Sequence, residues 1–565
     1  MSVYSSVRGL KPHRSKFKIG YDFKFDCDAG QLIPIFCKSV VPSDVINLSQ
    51  EIVVRAPAAL APYMAELNAH TYTFFVPYRI LFGEMQDDEE IDVGSKKLIF
   101  RHWEISDHEF EKFIGGGRSG NLTVSLPRWI PTGQNVVNDN WNGIPAGSEG
   151  SNLNDINVTV PDNGKYSLWD YFCFPTGVIP AGAYPLDFPK RAYNLIYNEW
   201  FLDNNLMPAV DVANSNIVLN ACWKKDYFTS ALPWQQRGTA PAFPISGTAK
   251  AVFSNPISIQ GVISDYIGPS QAYYSILEQG QNAVFANNSS SSISNPHNYY
   301  RLQVNSNTLT ERNTVDLGSA VTFDVSTLRY AFQVQKWLER NARGGSRYVE
   351  LLKAHFGTSP TDDTLQRPMF IGGSKSPIIV SEVLQTGNGG EGVGSLFGHT
   401  ISADANHVTK FHVNEYGLIM TLMCIKPKAT YQQGIDREWL YETKYDFLFP
   451  EFVNLSEEAV YQAELFASND ENENKKIFGY QGRYNELRTS QSHVAGGLRD
   501  SLSYWHMGRI FGTAPVLNGQ FLKCNPRKDV FSVTDEPSYI CYVGNVCHAY
   551  RPLPLYPEPG LIDHA

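Results

Sequence analysis

The chain has 565 residues, and aromatic residues make up 13% of it against only 18% charged residues. That balance, with 44 Gly and 33 Pro, favours strands joined by many turns over long helices. A formal net charge of −10 argues against a dedicated nucleic-acid binder while leaving room for a local basic segment. No run of about 18 apolar residues exists to span a membrane.

The first twenty residues read as a basic arm. Arg8, Lys11, Arg14, Lys16 and Lys18 all precede the first carboxylate, Asp22, so they can neutralise phosphates without needing a fold. Tyr4 and Phe17 could stack on unpaired bases, and the bland alternative is a solvated terminus. No apolar stretch follows the positive charge, so this does not read as a secretory signal. Phe23, Phe25 and Cys27 then alternate with charged residues, a period-two strand. Apolar runs at 32–41 and 71–76 (TYTFFV) predict two further strands, each stopped by a proline. The acidic stretch 84–92 (EMQDDEEID) reads as a solvated face, its spacing unlike an EF-hand. Residues 115–165, rich in Gly, Asn and Ser, suggest a loop or short edge strands.

Helical spacing predicts a short helix within 191–205, another over 328–344 stopped by Gly344–Gly345, and a third over 348–356 ended by Gly357. Between them, 240–325 is dominated by Ser, Asn, Gly and Gln and cannot sustain a core. The continuous apolar run 418–425 (LIMTLMCI) predicts a strand buried on both faces. The end, RPLPLYPEPGLIDHA at 551–565, must be an extended arm.

Catalytic motifs are absent: there is no GxSxG, Walker loop, HExxH or GxGxxG. Cys524, Cys541, Cys547 and His548 fit no standard zinc spacing and read as buried thiols. His506 beside Trp505 reads as a satisfied core histidine. Neither cofactor nor metal is expected.

Several segments nevertheless resemble one known family. PKRAYNLIYNEWFLDNNL at 189–206 and DYFTSALPWQQRG at 226–238 come first. LRYAFQVQKWLERNARGGSRYVELLKAHFG at 328–357, LQRPMFIGG at 365–373 and ATYQQGIDREW at 429–439 follow. FGYQGRYNELR at 478–488, LRDSLSYWHMGRIF at 498–511 and the closing RPLPLYPEPGLIDH at 551–564 complete the series. In this order they resemble the microvirus major capsid protein, particularly its gokushovirus-like branch, over most of 20–80, 165–240 and 325–565.

That resemblance implies an all-β fold, an eight-stranded antiparallel jelly roll of viral coat type with long loop insertions and a few short helices. It implies one capsid domain over 21–565, with variable insertions at 84–165 and 240–325, the latter a surface protrusion. It further implies a T = 1 icosahedral shell of this chain enclosing circular single-stranded DNA, made in the bacterial host cytoplasm and located in the virion. Implied partners are a small basic DNA-binding protein, a scaffolding protein, a pilot protein and a host surface receptor met by the outer insertion. A secreted carbohydrate-binding or carbohydrate-active β-sandwich would share the aromatic, Gly-rich composition, and particle-sized material on a sizing column would exclude it.

Overall fold

A computed structural model describes residues 13–93, 96–106, 109–115, 125–138, 158–237, 248–250, 314–316, 325–344, 347–384, 396–533 and 536–556. The chain divides into two compact units, one of residues 1–237 with 339–565 and one of residues 238–338.

The larger unit begins with β1 (Ser15–Lys18), β2 (Asp22–Cys27), β3 (Ile33–Val40), β4 (Val45–Ala59) and β5 (Leu67–Pro77). An outlying hairpin of β6 (Gly83–Val93) and β7 (Lys96–Ile105) follows, with helix α1 (Glu109–Gly115) and the short pair β8 (Asn135–Asn138) and β9 (Val158–Pro161). Helices α2 (Leu168–Tyr171) and α3 (Phe188–Ile196) come next. In the smaller unit β10 (Thr248–Lys250) pairs with β11 (Thr314–Asp316). Helices α4 (Val325–Gly344) and α5 (Tyr348–Phe356) lead back to β12 (Met369–Leu384), β13 (Leu396–His412) and β14 (Gly417–Pro427). Two short strands, β15 (Glu458–Tyr461) and β16 (Ile477–Gln481), precede the last, β17 (Tyr539–Arg551).

Pairing is antiparallel throughout, in the order β1-β17-β4-β13-β12-β5-β14-β3, with β2 also on β17. One half of this path is β2-β17-β4-β13 and the other β3-β14-β5-β12; the long β12 belongs to both, pairing β5 through 369–378 and β13 through 379–384. This is the all-β arrangement of a jelly-roll coat. The sheet holds nine strands, eight on this path and β2 off it, where eight were expected, because residues 15–18 add a second segment beside β17.

Phe36, Ile46, Leu48, Phe75, Ile419, Cys547 and Ala549 pack between the halves. A polar bridge crosses there too. Buried Asn545 of β17 accepts from Gln50 Nε2 at 2.7 Å and donates to Ile35 O at 3.0 Å. On the far side of β5, Tyr72 and Phe74 meet the ring of Phe201 at 5.1 and 6.2 Å, and Tyr193 of α3 donates to Leu32 O at 2.9 Å. β14 is therefore covered on both faces, which is why its sequence is an unbroken apolar run.

The expected strands at 23–27, 32–41, 71–76 and 418–425 are present, as are the helices over 328–344 and 348–356. Gly357, at φ +70, supplies the left-handed residue that ends α5. The helix expected within 191–205 starts earlier than its apolar spacing suggested, at Phe188, with Pro189 in its first turn. Acidic residues 84–92 prove to be part of a strand, β6, whose register sets Asp87 across from Arg101 and Asp92 across from Lys97. His506 is a satisfied core histidine, with Nε2 at 2.8 Å from Leu498 O and Nδ1 accepting from Gly508 N at 2.9 Å. Cys524, Cys541 and Cys547 are buried thiols.

Asp44, wholly buried in the β3–β4 turn, is gripped by the Arg551 guanidinium, with Nη2 at 2.9 Å and Nε at 3.1 Å from Oδ2. Removing one member of a buried ion pair strands the other. Asp44→Ala is expected to cost about 3 kcal/mol, the lower end of the range because Arg551 stays one-fifth exposed. Chemical denaturation of the isolated subunit measures it; adding Arg551→Ala in the same chain should cost little more.

Candidate nucleic-acid interface

The outer face of β3-β14-β5 is covered, whereas among the described residues nothing comparable covers the outer face of β2-β17-β4-β13. On β4 Asn47, Glu51 and Arg55 are exposed while Ile46, Leu48 and Ile52 are buried, the alternation of a half-solvated antiparallel sheet. Three of the five sequence-predicted cations lie along this face. Arg14, Lys16 and Lys18 are exposed at every second position, opposite the partly buried Phe17 and Ile19. Arg8 and Lys11 lie outside the described residues.

The arm is thus in part a strand. β1 pairs with the end of β17, with Lys16 opposite Tyr550 and Lys18 opposite His548. The chain then runs on into β2 along the same partner: Ile19 N donates to Cys547 O at 2.9 Å, and Tyr21 O accepts from Asn545 N at 3.1 Å. Gly20 makes this possible, since a Cβ there would sit 1.9 Å from Asn545 O. The exposed Arg14 donates to Ser43 O at 3.0 Å and lies 6.0 Å from the Tyr550 ring centre.

Strand pairing extends the cations across the sheet. One rung reads Lys18, His548, Asn47, Lys410; the next outward reads Lys16, Tyr550, Val45, His412; the next inward carries Val546, Ser49 and His407. No carboxylate stands on these rungs. His407 Nε2 lies 2.8 Å from Asn47 Oδ1, and His412 Nδ1 lies 3.0 Å from Asn414 Oδ1. The nearest acid at this end, Asp44, is buried under Arg551, and exposed acids on the face begin only with Asp22 and Glu51, past the third rung. With strands about 4.8 Å apart, four cations and three imidazoles form one continuous basic surface. Tyr550, nearly half exposed in its middle, offers a ring on which a base can stack.

Sequence reading named Arg14, Lys16 and Lys18 as candidates and did not name Lys410, His407, His412 or His548, which the register sets on the same rungs. These come from strands hundreds of residues away, and only the register reveals them. Among the described residues, no group of three or more His, Cys, Asp or Glu is placed to hold a metal ion, and no helix is long and apolar enough to cross a membrane.

An antiparallel jelly-roll sandwich of this kind is the architecture of viral coat proteins. The comparisons agree. The family described as capsid protein (F protein) matches residues 5–93 and 132–561, and the chain belongs to that family. Capsid protein VP1 of Bdellovibrio phage phiMH2K is 29% identical, covering 99% of this chain and 97% of its own. Capsid protein VP1 of Chlamydia phage 1 is 28% identical, and that of Spiroplasma virus 4 is 27% identical, both with the same coverage. The resemblance to gokushovirus-like microvirus coats is therefore sound, the chain is a coat protein of the virion, and the carbohydrate-active reading has no support. The family match skips 94–131, inside the first expected variable insertion.

Gly20→Ala should break the junction of β1 and β2, because the clash is with backbone that cannot move aside. Crowding of this kind costs about 1–3 kcal/mol. Amide exchange at Phe17 and Ile19 should then quicken by about tenfold or more, while that of β14 stays unchanged.

Proposed function

We propose that roughly sixty copies of this chain close into a T = 1 icosahedral shell around circular single-stranded DNA, with the open basic face of β1, β17, β4 and β13 turned towards the genome. The observation that carries the DNA contact is the carboxylate-free run of three rungs in a chain of net charge −10. Contacts of this type go to phosphates and are indifferent to sequence. Arg8 and Lys11, read from the sequence alone, would add two more phosphate contacts. A small basic DNA-binding protein, a scaffolding protein and a pilot protein of the same phage complete the particle in this reading.

Replacing Arg14, Lys16, Lys18 and Lys410 by Gln is expected to leave the subunit folded while weakening its hold on single-stranded DNA. Each lost phosphate contact lowers the slope of log affinity against log salt by about 0.7, so a fall of up to about 3 is expected. Titration of a fluorescent oligonucleotide at several salt concentrations reads this directly, and an unchanged slope would assign the cations a structural role only.

Residues 240–325 are proposed to project from the shell and meet the host receptor. Support comes from the division of the chain, which sets 238–338 apart as its own unit, and from the paired β10 and β11 near its two ends. Deleting 245–320 behind a short Gly/Ser linker should give shells that still assemble but attach poorly to host cells. A deleted chain that no longer folds would show the segment to be part of the core.

A further inference from the structure

Among the described residues, the segment 436–455 presents a strongly apolar surface to solvent. There Trp439, Tyr445, Phe447 and Leu448 each keep more than half of their area open to solvent, and Phe449 and Leu455 nearly half. The backbone beneath them is firmly held. The Asp446 carboxylate accepts from Thr443 N at 2.6 Å and Glu442 N at 3.1 Å. Buried Tyr484, in a left-handed conformation at φ +60, donates its hydroxyl to Phe447 O at 3.0 Å, and Arg483 donates to Tyr445 O at 2.7 Å. Ring contacts run through the patch: Tyr441 with Phe447 at 5.2 Å, Tyr445 with Phe452 at 5.9 Å, Phe449 with Phe452 at 6.1 Å. The rings are presented outward on a fixed support.

We infer that this surface, centred on Trp439 and Phe447, is a contact between two copies of the chain. The inference rests on the proposed self-assembly and names where it occurs. Size is the first argument. Six large side chains at about half exposure, out of ~150–250 Å² for each aromatic, leave on the order of 600 Å² open. That is the upper limit for a soluble protein living alone and most of the ~800 Å² that one partner gives to a standard interface. Composition is the second, since Trp and Tyr are the residues that carry interface energy. Charge decides the occupant. The segment 436–455 holds five carboxylates (Asp436, Glu438, Glu442, Asp446, Glu451) against Arg437 and Lys444. A net negative rim repels phosphate, so neither DNA nor an anionic membrane fits. A protein surface with charges of both signs, such as another copy, does.

The test compares free subunits with assembled particles by side-chain footprinting, alongside the double variant Trp439→Ser, Phe447→Ser. Both positions should label in the free subunit and lose at least about fivefold of that labelling in the particle. The variant, matched to the wild type in its unfolding midpoint, should need about tenfold more protein to form particles. Equal labelling in particles, labelling already lost in the free subunit because the chain's own segments cover it, or a variant that assembles like the wild type would each overturn the inference. Should wild-type shells fail to close at all, the assembly reading falls instead. Concentration-dependent pairing of subunits then decides this surface, by protection of Trp439 or its absence.

Discussion

The last strand of the chain fills a slot near the middle of its sheet, and most of the architecture depends on that insertion. β17 has β4 on one side and both β1 and β2 on the other. Its Asn545 bridges to the opposite half through Ile35, and its final residue, Arg551, neutralises the buried Asp44. Until residues 539–551 are in place, the N-terminal strands have no partner and two buried polar groups have no compensation. Contacts between residues more than 500 apart, Ile35 with Asn545 and Asp44 with Arg551, also carry the full entropy of closing the chain. A fold of this topology is tied together from its two ends.

The two outer faces of the sandwich are treated differently, and the difference follows from where the helices go. Residues 188–202 lay Tyr193, Trp200 and Phe201 against β3, β5 and β14, so that side is closed by packing. Nothing comparable covers the outer side of β17 and β4 among the described residues, and its side chains answer to solvent and charge alone. The overall negative charge and the basic rungs are compatible because, among the described residues, the three rungs carry no carboxylate, Asp44 at that end is buried against Arg551, and exposed acids on the face begin only at Asp22 and Glu51. A surface of one sign on a body of the other steers an anionic partner to a single side.

Local pattern carried much of the fold. Phe23, Phe25 and Cys27 alternate because one side of β2 is wet, and 418–425 is uniformly apolar because β14 is covered twice. Gly344 and Gly357 announced the ends of α4 and α5 through backbone chemistry that needs no tertiary context. What was illegible depended on partners. The acidic stretch in β6 has poor strand character by itself, and only its pairing with β7 shows it to be a strand. Lys16 and Lys18 look like a free tail until β17 is present to receive them. The aromatic stretch DFLFPEF at 446–452 has the composition of a core element, and only the folded chain shows that its rings point outward. Among the described residues of 428–538 the regular elements are β15 and β16 with single helical turns; their order comes from side-chain bonds such as Arg437 to Glu458 and Glu464.

The basic face has a property that a free basic tail lacks. Lys18, His548, Asn47 and Lys410 come to one rung from four distant parts of the sequence, so this surface exists only after β17 has closed the sheet. An unfolded or half-folded chain is an anionic polymer with its cations scattered, and it repels nucleic acid on average. On the proposed reading, affinity for the genome therefore appears together with the native sandwich rather than before it. Subunits that have not finished folding are kept off the DNA by their own net charge, and those that have finished carry a site on the side left free of helices. The order of events, folding before DNA contact, would then be set by strand order alone.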